Sequence, residues 1–156
     1  MLVGDGPELV RVKKGVANLD TVTFTGAIPY GQMPACLAAA DIGVAPFDAG
    51  AHAPLQLAFY WSPLKMFEYM AAGLPVVAPA LGRLSHIARH DQEGLLYAPS
   101  EPDGLAHAIA RLADDGDLRA RLGHAARARV EKTFSWAAHC ARLEQAMQDA
   151  LVRRMP

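Results

Sequence analysis

Residues 62–78 read Ser-Pro-Leu-Lys-Met-Phe-Glu-Tyr-Met-Ala-Ala-Gly-Leu-Pro-Val-Val-Ala. This stretch decides the fold, because a helical pattern ends at a glycine and passes directly into a short apolar run. Ser62 is expected to be the N-cap, and Pro63 suits the first helical position, where no N–H donor is needed. The apolar run at 76–78 is typical of a strand buried on both faces. The stretch therefore predicts a helix that leads into a strand of a parallel sheet.

The start of this helix is a candidate anion site. The amides of Leu64, Lys65 and Met66 are expected to point outward without intrahelical partners, at the positive end of the helix dipole. Phosphate oxygens suit that position, and the Lys65 ammonium adds a full charge. Glu68 lies on a neighbouring line of the helix, where its carboxylate can accept two hydrogen bonds from a ribose diol. The pattern favours a nucleotide beside the helix, but a structural helix with a solvent-exposed Lys65–Glu68 pair explains the same residues.

The composition places limits on the class of protein. The 156 residues are 52% hydrophobic and 20% charged, with a net charge of −1. This is a globular composition, long enough for one domain with a sizeable core, and it offers no electrostatic basis for binding nucleic acid or an anionic membrane. Cys36 and Cys140 lie in helical patterns without disulfide or zinc-ligand spacing. We expect reduced core thiols in a cytoplasmic protein.

Short apolar runs alternate with helical patterns along the whole chain. The expected strands are Leu2–Val3, Val22–Thr25, Ile42–Pro46, Val76–Ala78 and Leu95–Tyr97. The expected helices are Pro7–Lys14, Gly31–Ala40, Pro63–Ala72, Ser85–His90, Pro102–Ala113, Asp117–Glu131 and Trp136–Val152. Ser100 and Ser135 are expected to cap the helices that follow them. The alternation predicts an α/β fold with a doubly wound parallel sheet.

The Ser62 helix start and the turns after Thr25 and Pro46 are expected at the carboxyl ends of the strands, where such sheets bind ligands. Three loops are candidates for chemistry. The glycines that follow Leu2–Val3 permit close backbone approach, either as a plain turn or as a wall of the site. The backbone at Gly26-Ala27-Ile28-Pro29 can pair with a flat base, or the segment is an ordinary loop. The long segment from Phe47 to Trp61 holds Asp48 and His52. Because the chain enters a strand almost at its first residue, we interpret it as the back part of a longer protein, truncated at one edge of the sheet.

Other titratable residues indicate no chemistry of their own. His86 and His90 stand four apart, but no acidic or thiol residue is spaced to complete a metal site, so surface histidines are the favoured interpretation. No sequence pattern for a covalent nucleophile is visible. The arginines between 111 and 129 alternate with Leu, Ala and acidic residues at helical spacing, which indicates a solvated helix face.

Five segments occur in a characteristic order and spacing. They are Leu-Val-Gly-Asp-Gly-Pro-Glu (2–8), Val-Thr-Phe-Thr-Gly-Ala-Ile (22–28), Ala-Ala-Asp-Ile-Gly-Val-Ala-Pro-Phe (39–47), Phe-Glu-Tyr-Met-Ala-Ala-Gly-Leu-Pro-Val-Val-Ala (67–78) and Gly-Leu-Leu-Tyr-Ala-Pro (94–99). Together they resemble the carboxyl-terminal, donor-binding domain of the family 4 (group 1) glycosyltransferases of GT-B architecture.

The resemblance implies transfer of a sugar from a nucleotide-diphosphate donor with retention of configuration, without a metal or other cofactor. The leaving diphosphate is then stabilised by helix-start amides and basic side chains. Residues 1–135 would form the Rossmann-like, nucleotide-sugar-binding domain. Residues 136–156 would form a helix that crosses to an amino-terminal lobe, which supplies the acceptor site and is absent from this chain.

The resemblance also implies roles for individual residues. Lys65 and Glu68 are the expected catalytic residues, with Glu68 on the ribose hydroxyls. The remaining donor contacts are expected from the Gly4 turn, the Ile28 main chain and the Leu64 backbone. The anion-binding pattern of the helix start adds Ser62 to the expected donor contacts.

Two departures from the family pattern are visible. Tyr60 occupies the position of the glutamate that usually contacts the donor sugar, so Lys65, Asp48 or His52 is expected to share that role. The basic residues that bind the diphosphate in the family lie before the region that this chain covers. A sugar-nucleotide epimerase of the same architecture and a non-catalytic nucleotide-binding module remain as alternatives.

Overall fold

The computed structural model describes residues 1–48 and 62–153. Backbone contacts divide the chain into two compact units, Met1–Ala39 and Ala40–Pro156. Each unit has a parallel sheet of its own, with two strands in the first unit and three in the second. All five predicted strands are present, so the α/β prediction is confirmed.

The first unit is a small parallel β-α-β arrangement. Its elements are β1 (Leu2–Val3), α1 (Leu9–Gly15), β2 (Phe24–Gly26), a 3₁₀ turn (Tyr30–Gln32) and α2 (Met33–Ala38). Leu2 donates its amide to the Thr23 carbonyl at 2.8 Å, and Gly4 donates to the Gly26 carbonyl at 2.9 Å. The backbone of Gly4 has a φ of 130°, which side-chain-bearing residues rarely adopt. The predicted turn after β1 is therefore real and requires glycine.

The second unit contains the larger sheet, in the order β3-β4-β5. Its strands are β3 (Gly43–Val44), β4 (Val76–Pro79) and β5 (Gly94–Tyr97). Its helices are α3 (Leu64–Ala71), α4 (Leu84–Ile87), α5 (Gly104–Asp114), α6 (Gly116–Arg129) and α7 (Trp136–Val152), with a π-helical turn (Val130–Phe134) before α7. Strands alternate with helices, as predicted.

The central strand β4 has a core on each face. Val76 and Ala78 belong to one cluster, which includes Met66 and Met70 of α3. Val77 belongs to the other cluster, with Leu95 of β5 and buried leucines of α5 and α6. All three β4 residues are fully buried. Because a strand alternates its side chains between faces, this arrangement confirms the doubly wound sheet.

The predicted serine caps have different outcomes. Ser135 caps α7 as predicted, since its Oγ accepts from the Ala138 amide at 3.2 Å. The prediction for Ser100 is wrong, because α5 begins only at Gly104 and has Asp103 as its N-cap, without a side-chain capping bond. The hydroxyl of Ser100 is thus too far back in the chain to reach the first free amides of the helix.

The last helix, α7, begins at Trp136, as predicted, and none of its residues is buried. Cys140 is exposed on it, so the prediction of a core thiol is wrong for this residue, while Cys36 is half-buried. The boundary between 1–135 and 136–156 stays a prediction. None of the helices within residues 1–48 and 62–153 combines the length and the apolar character that crossing a membrane requires.

Candidate functional site

The start of α3 differs from the sequence prediction in one respect. Pro63 is the N-cap, with a ψ of 72° outside the helical range, so the helix begins at Leu64. No side chain caps it. Ser62 therefore stands one position too early for its hydroxyl to cap the helix, and it contributes its carbonyl instead, which accepts from the Leu64 amide at 3.0 Å. The predicted N-cap role of Ser62 is wrong.

The amides at this helix start are also less free than predicted. The Leu64 amide bonds to Ser62, and the Met66 amide donates to the Pro63 carbonyl at 2.9 Å. Two of the three expected anion donors therefore already have acceptors within the chain. The Lys65 side chain becomes the main positive feature of the helix start.

Burial fixes which side of α3 faces outward. Met66 and Met70, four residues apart, are fully buried in the core. Leu64 and Lys65 are exposed, and Glu68 is partly exposed on the same side of the helix. Residues three and four apart on a helix are neighbours, so the side chains of Leu64, Lys65 and Glu68 share one outward surface. Leu64, Lys65 and Glu68 therefore lie side by side on the outside of α3, and Glu68 is not turned into the core.

Lys65 links this helix to the carboxyl end of the sheet. Its ammonium nitrogen lies 5.0 Å from the centroid of the Phe47 ring. Phe47 follows β3, whose pairing continues to Ala45, where the amide donates to the Val77 carbonyl at 2.8 Å. The helix start and the segment after Pro46 therefore meet at this edge, as the sequence predicts.

Asp48 and Tyr97 belong to the same edge of the sheet. Tyr97 ends β5, and its carbonyl accepts from the Ala80 amide, just beyond β4, at 2.8 Å. Burial raises the pKa of the Tyr97 phenol, and the carboxylate of Asp48 raises it further. Asp48 thus lies close enough to act on the end of β5. His52 and Tyr60, named in the sequence analysis, lie outside the described residues.

Gly4 and Ile28 belong to the first unit. The Gly4 amide bonds across the small sheet to Gly26, which also has a positive φ, of 70°. Ile28 follows β2 by two residues and is half-buried. Both residues therefore lie beyond the carboxyl ends of their strands, where parallel sheets bind ligands.

The described residues contain no group of three or more His, Cys, Asp or Glu side chains that would hold a metal ion. The His86–His90 spacing does not produce a helical pair, because α4 ends at Ile87. His90 has a structural role instead, since its Nδ1 accepts from the Leu96 amide at 3.0 Å.

Sequence reasoning missed two residues of this edge, Phe47 beneath Lys65 and Tyr97 beside Asp48. Phe47 follows β3 while Lys65 lies on α3, and Asp48 follows β3 while Tyr97 ends β5, so both relationships depend on how the elements are arranged around the sheet β3-β4-β5. The only signal in the sequence is that each residue follows or ends an apolar run.

Comparison with known proteins gives a consistent result. The family described as "Glycosyl transferases group 1" matches residues 1–115. A curated protein of Mycobacterium tuberculosis, named GDP-mannose-dependent alpha-(1-6)-phosphatidylinositol monomannoside mannosyltransferase, is 32% identical over 149 residues. The matched region covers 92% of this chain and 37% of that protein. The chain therefore spans well under half the length of this relative.

Solved structures share the fold. Sucrose-phosphate synthase from Thermosynechococcus elongatus superposes with a TM-score of 0.74 at 28% identity, over 97% of this chain and 38% of its own. Anabaena HepE in complex with UDP-glucose superposes with a TM-score of 0.72 at 23% identity, over 95% of this chain and 40% of its own. The second likeness extends to the fold alone.

Proposed function

The chain belongs to the group 1 glycosyl transferases, and from this premise we propose that it is the donor-binding half of a retaining glycosyltransferase. The donor is a nucleotide-diphosphate sugar, and the acceptor is bound by an amino-terminal lobe outside these 156 residues. The chain by itself binds nucleotide but does not transfer sugar. The proposal is supported by the family match and by the short span of the chain on its relatives.

One observation carries the site assignment. Lys65 and Glu68 share the outward side of α3, and the Lys65 ammonium lies over Phe47 at the carboxyl end of β3. A diphosphate beside Lys65 would place the ribose about one helical turn further along, at Glu68. The Ser62–Leu64 segment borders the diphosphate.

The proposed reaction needs no residue of this chain to act as a covalent nucleophile. When the bond between the sugar and the diphosphate breaks, negative charge grows on the leaving diphosphate. The positive charge of Lys65 stabilises that developing charge more than it stabilises the ground state. It therefore lowers the activation barrier for breaking the bond. We propose no metal or other cofactor for this role. A cytoplasmic location belongs to the same proposal, and the two free cysteines support it.

Calorimetric titration of the full chain with GDP and UDP tests the proposal. GDP is chosen from the name of the mycobacterial relative, and UDP from the ligand of the Anabaena structure. We expect one of them to bind, and we expect Glu68→Gln to weaken that binding about tenfold, the loss of a hydrogen bond to a charged acceptor. Glu144→Gln, on the exposed surface of α7, is the matched control and should bind like the wild type.

The 2′-deoxy form of the same nucleotide tests the ribose assignment. It should bind more weakly to the wild type, and Glu68→Gln should then have a smaller effect than it has on the ribonucleotide, because one of the two hydrogen bonds to Glu68, that of the 2′-hydroxyl, is already absent. If neither GDP nor UDP binds, the donor-binding function is refuted. If nucleotide binds and Glu68→Gln is silent, only the ribose assignment is lost.

A further inference from the structure

In the contact between Lys65 and Phe47, a long, flexible lysine side chain meets an aromatic ring that is held by the core. Lys65 is exposed, and a free lysine side chain samples many rotamers. A ring face within about 6 Å attracts an ammonium through its quadrupole, and the observed separation is 5.0 Å. The ring therefore narrows the positions that the ammonium occupies.

Phe47 itself is held by backbone and core. Its amide donates to the Ala45 carbonyl at 2.9 Å, a tight turn directly after β3. Ala45 is fully buried and is bonded to Val77 of the central strand. The Phe47 ring is partly buried and packs against the core cluster that includes Met66, the residue next to Lys65. The ring is thus anchored to the same core as α3.

We propose that Phe47 is a positioning residue for Lys65, holding its ammonium at the carboxyl end of β3 for the diphosphate of the donor. The proposal rests on the proposed function, which assigns Lys65 to the diphosphate. An ammonium has three N–H donors, so the ring can occupy one side while phosphate oxygens accept from the other. Because the ammonium is held before the ligand arrives, less rotamer freedom is lost on binding.

The chain provides matched controls for this contact. The Lys13 ammonium lies 5.5 Å from the Phe24 ring in the first unit, an equivalent pair to which no ligand role is assigned. Phe47→Leu removes the ring and keeps an apolar side chain of similar size for the core. Phe47→Tyr keeps both the ring and the packing.

The first experiment needs no ligand. In proton–carbon NMR spectra, the ε-methylene protons of Lys65 should be shifted upfield by the ring current of Phe47. Phe47→Leu should abolish this shift, and Phe47→Tyr should retain it, while the Lys13 signal stays unchanged in both variants. A Lys65 signal at the position of a free lysine in the wild type would overturn the proposal.

The second experiment is a double-mutant cycle with GDP or UDP, whichever binds. Phe47→Leu should weaken nucleotide binding about threefold, whereas Phe47→Tyr should bind like the wild type. In a Lys65→Met background, Phe47→Leu should have no further effect, because the residue acts through the ammonium. Equal losses in both backgrounds would show a packing role and overturn the positioning role. Absence of all nucleotide binding would instead overturn the proposed function, and the NMR experiment would still test the contact.

Discussion

The carboxylate of Glu93 is bound by the backbone and the side chain of Arg89. The Arg89 amide donates to Oε2 at 2.9 Å, its Nε donates to the same oxygen at 3.0 Å, and its Nη2 donates to Oε1. The Glu93 side chain is only 2% exposed. Between α4 and β5, the pair therefore closes the turn that leads into the last strand of the sheet.

This pair predicts a loss of stability in acid. Burial raises the pKa of Glu93, but the hydrogen bonds and charge of Arg89, with the charge of Arg129, outweigh it and hold the pKa below the usual value. A carboxyl group whose pKa is lowered by folding stabilises the protein above its unfolded pKa, about 4.3, and loses that contribution as the pH falls through the folded pKa. Urea unfolding between neutral pH and acid should show this decline.

Glu93→Gln should lower the free energy of unfolding at neutral pH by about 2 kcal/mol, because a charged, buried acceptor is lost. The variant should also lose less stability than the wild type on acidification. Glu131→Gln is the matched control, since Glu131 pairs with Arg127 at 2.9 Å while both side chains are largely exposed. Its cost should stay below about 1 kcal/mol. Similar costs for the two variants would contradict the structural account of Glu93.

Gly123 reverses the usual preference of helices for alanine. An exposed glycine within a helix costs about 1 kcal/mol relative to alanine. A Cβ at Gly123, however, would lie 2.2 Å from the Gly73 carbonyl oxygen, where α6 passes the turn before β4. We expect Gly123→Ala to lower the free energy of unfolding by about 2 kcal/mol through overpacking. Gly116→Ala, whose Cβ would meet only the end of Arg119 at 3.8 Å, should be neutral or stabilising in the same urea experiment.

Local sequence patterns were sufficient for the strands but not for their ends. The run at Val76-Val77-Ala78 was found within one residue because its burial on both faces makes it continuously apolar. The predicted strand Ile42–Pro46 is shorter, at Gly43–Val44, since Pro46 has no N–H to continue the ladder and Phe47 turns back to Ala45. In the candidate site, the helical spacing of the apolar residues in α3 predicts which side of the helix faces outward.

Features that depend on the backbone path were not predictable. The helix α3 begins one residue later than predicted, because the backbone of Pro63 is not helical. A proline at this position is compatible with either conformation, so the sequence does not determine it. Arg89 lies in the predicted helix Ser85–His90, but the helix ends at Ile87, and the burial of the Glu93 carboxylate beside Arg89 depends on the turn that follows. The Lys65–Phe47 contact requires the order of the strands as well as the helix phase.

The titration of Tyr97 reports on the edge of the sheet. Because burial and Asp48 both raise the pKa of its phenol, Asp48→Asn should lower that pKa while leaving it above the usual value of about 10. Tyrosine-labelled NMR titration separates Tyr97 from the other three tyrosines. Asp41→Asn, an exposed aspartate just before β3, should leave the Tyr97 signal unchanged. An unchanged pKa in Asp48→Asn would place the carboxylate elsewhere.

Gly43 connects the core to the candidate site. A Cβ at this position would lie 2.4 Å from Cγ and 2.6 Å from Cβ of Tyr69, so α3 can approach β3 only because position 43 has no side chain. Gly43→Ala should lower the free energy of unfolding by about 2 kcal/mol and should also weaken nucleotide binding, since displacement of Tyr69 moves the adjacent Glu68. Urea unfolding and calorimetry measure the two effects.

A second substitution isolates the cause of this effect. In a Tyr69→Gly background both the ring and the Cβ of residue 69 are absent, so Gly43→Ala should cost much less there than in the wild type. Tyr69→Phe is the control, because it keeps the ring and removes the hydroxyl, which donates a long hydrogen bond to the Val44 carbonyl at 3.4 Å. It should change stability by less than about 1 kcal/mol, and Gly43→Ala should remain costly in its presence. If Gly43→Ala is equally costly with and without the ring, strain in β3 itself, and not the approach of α3, limits this position.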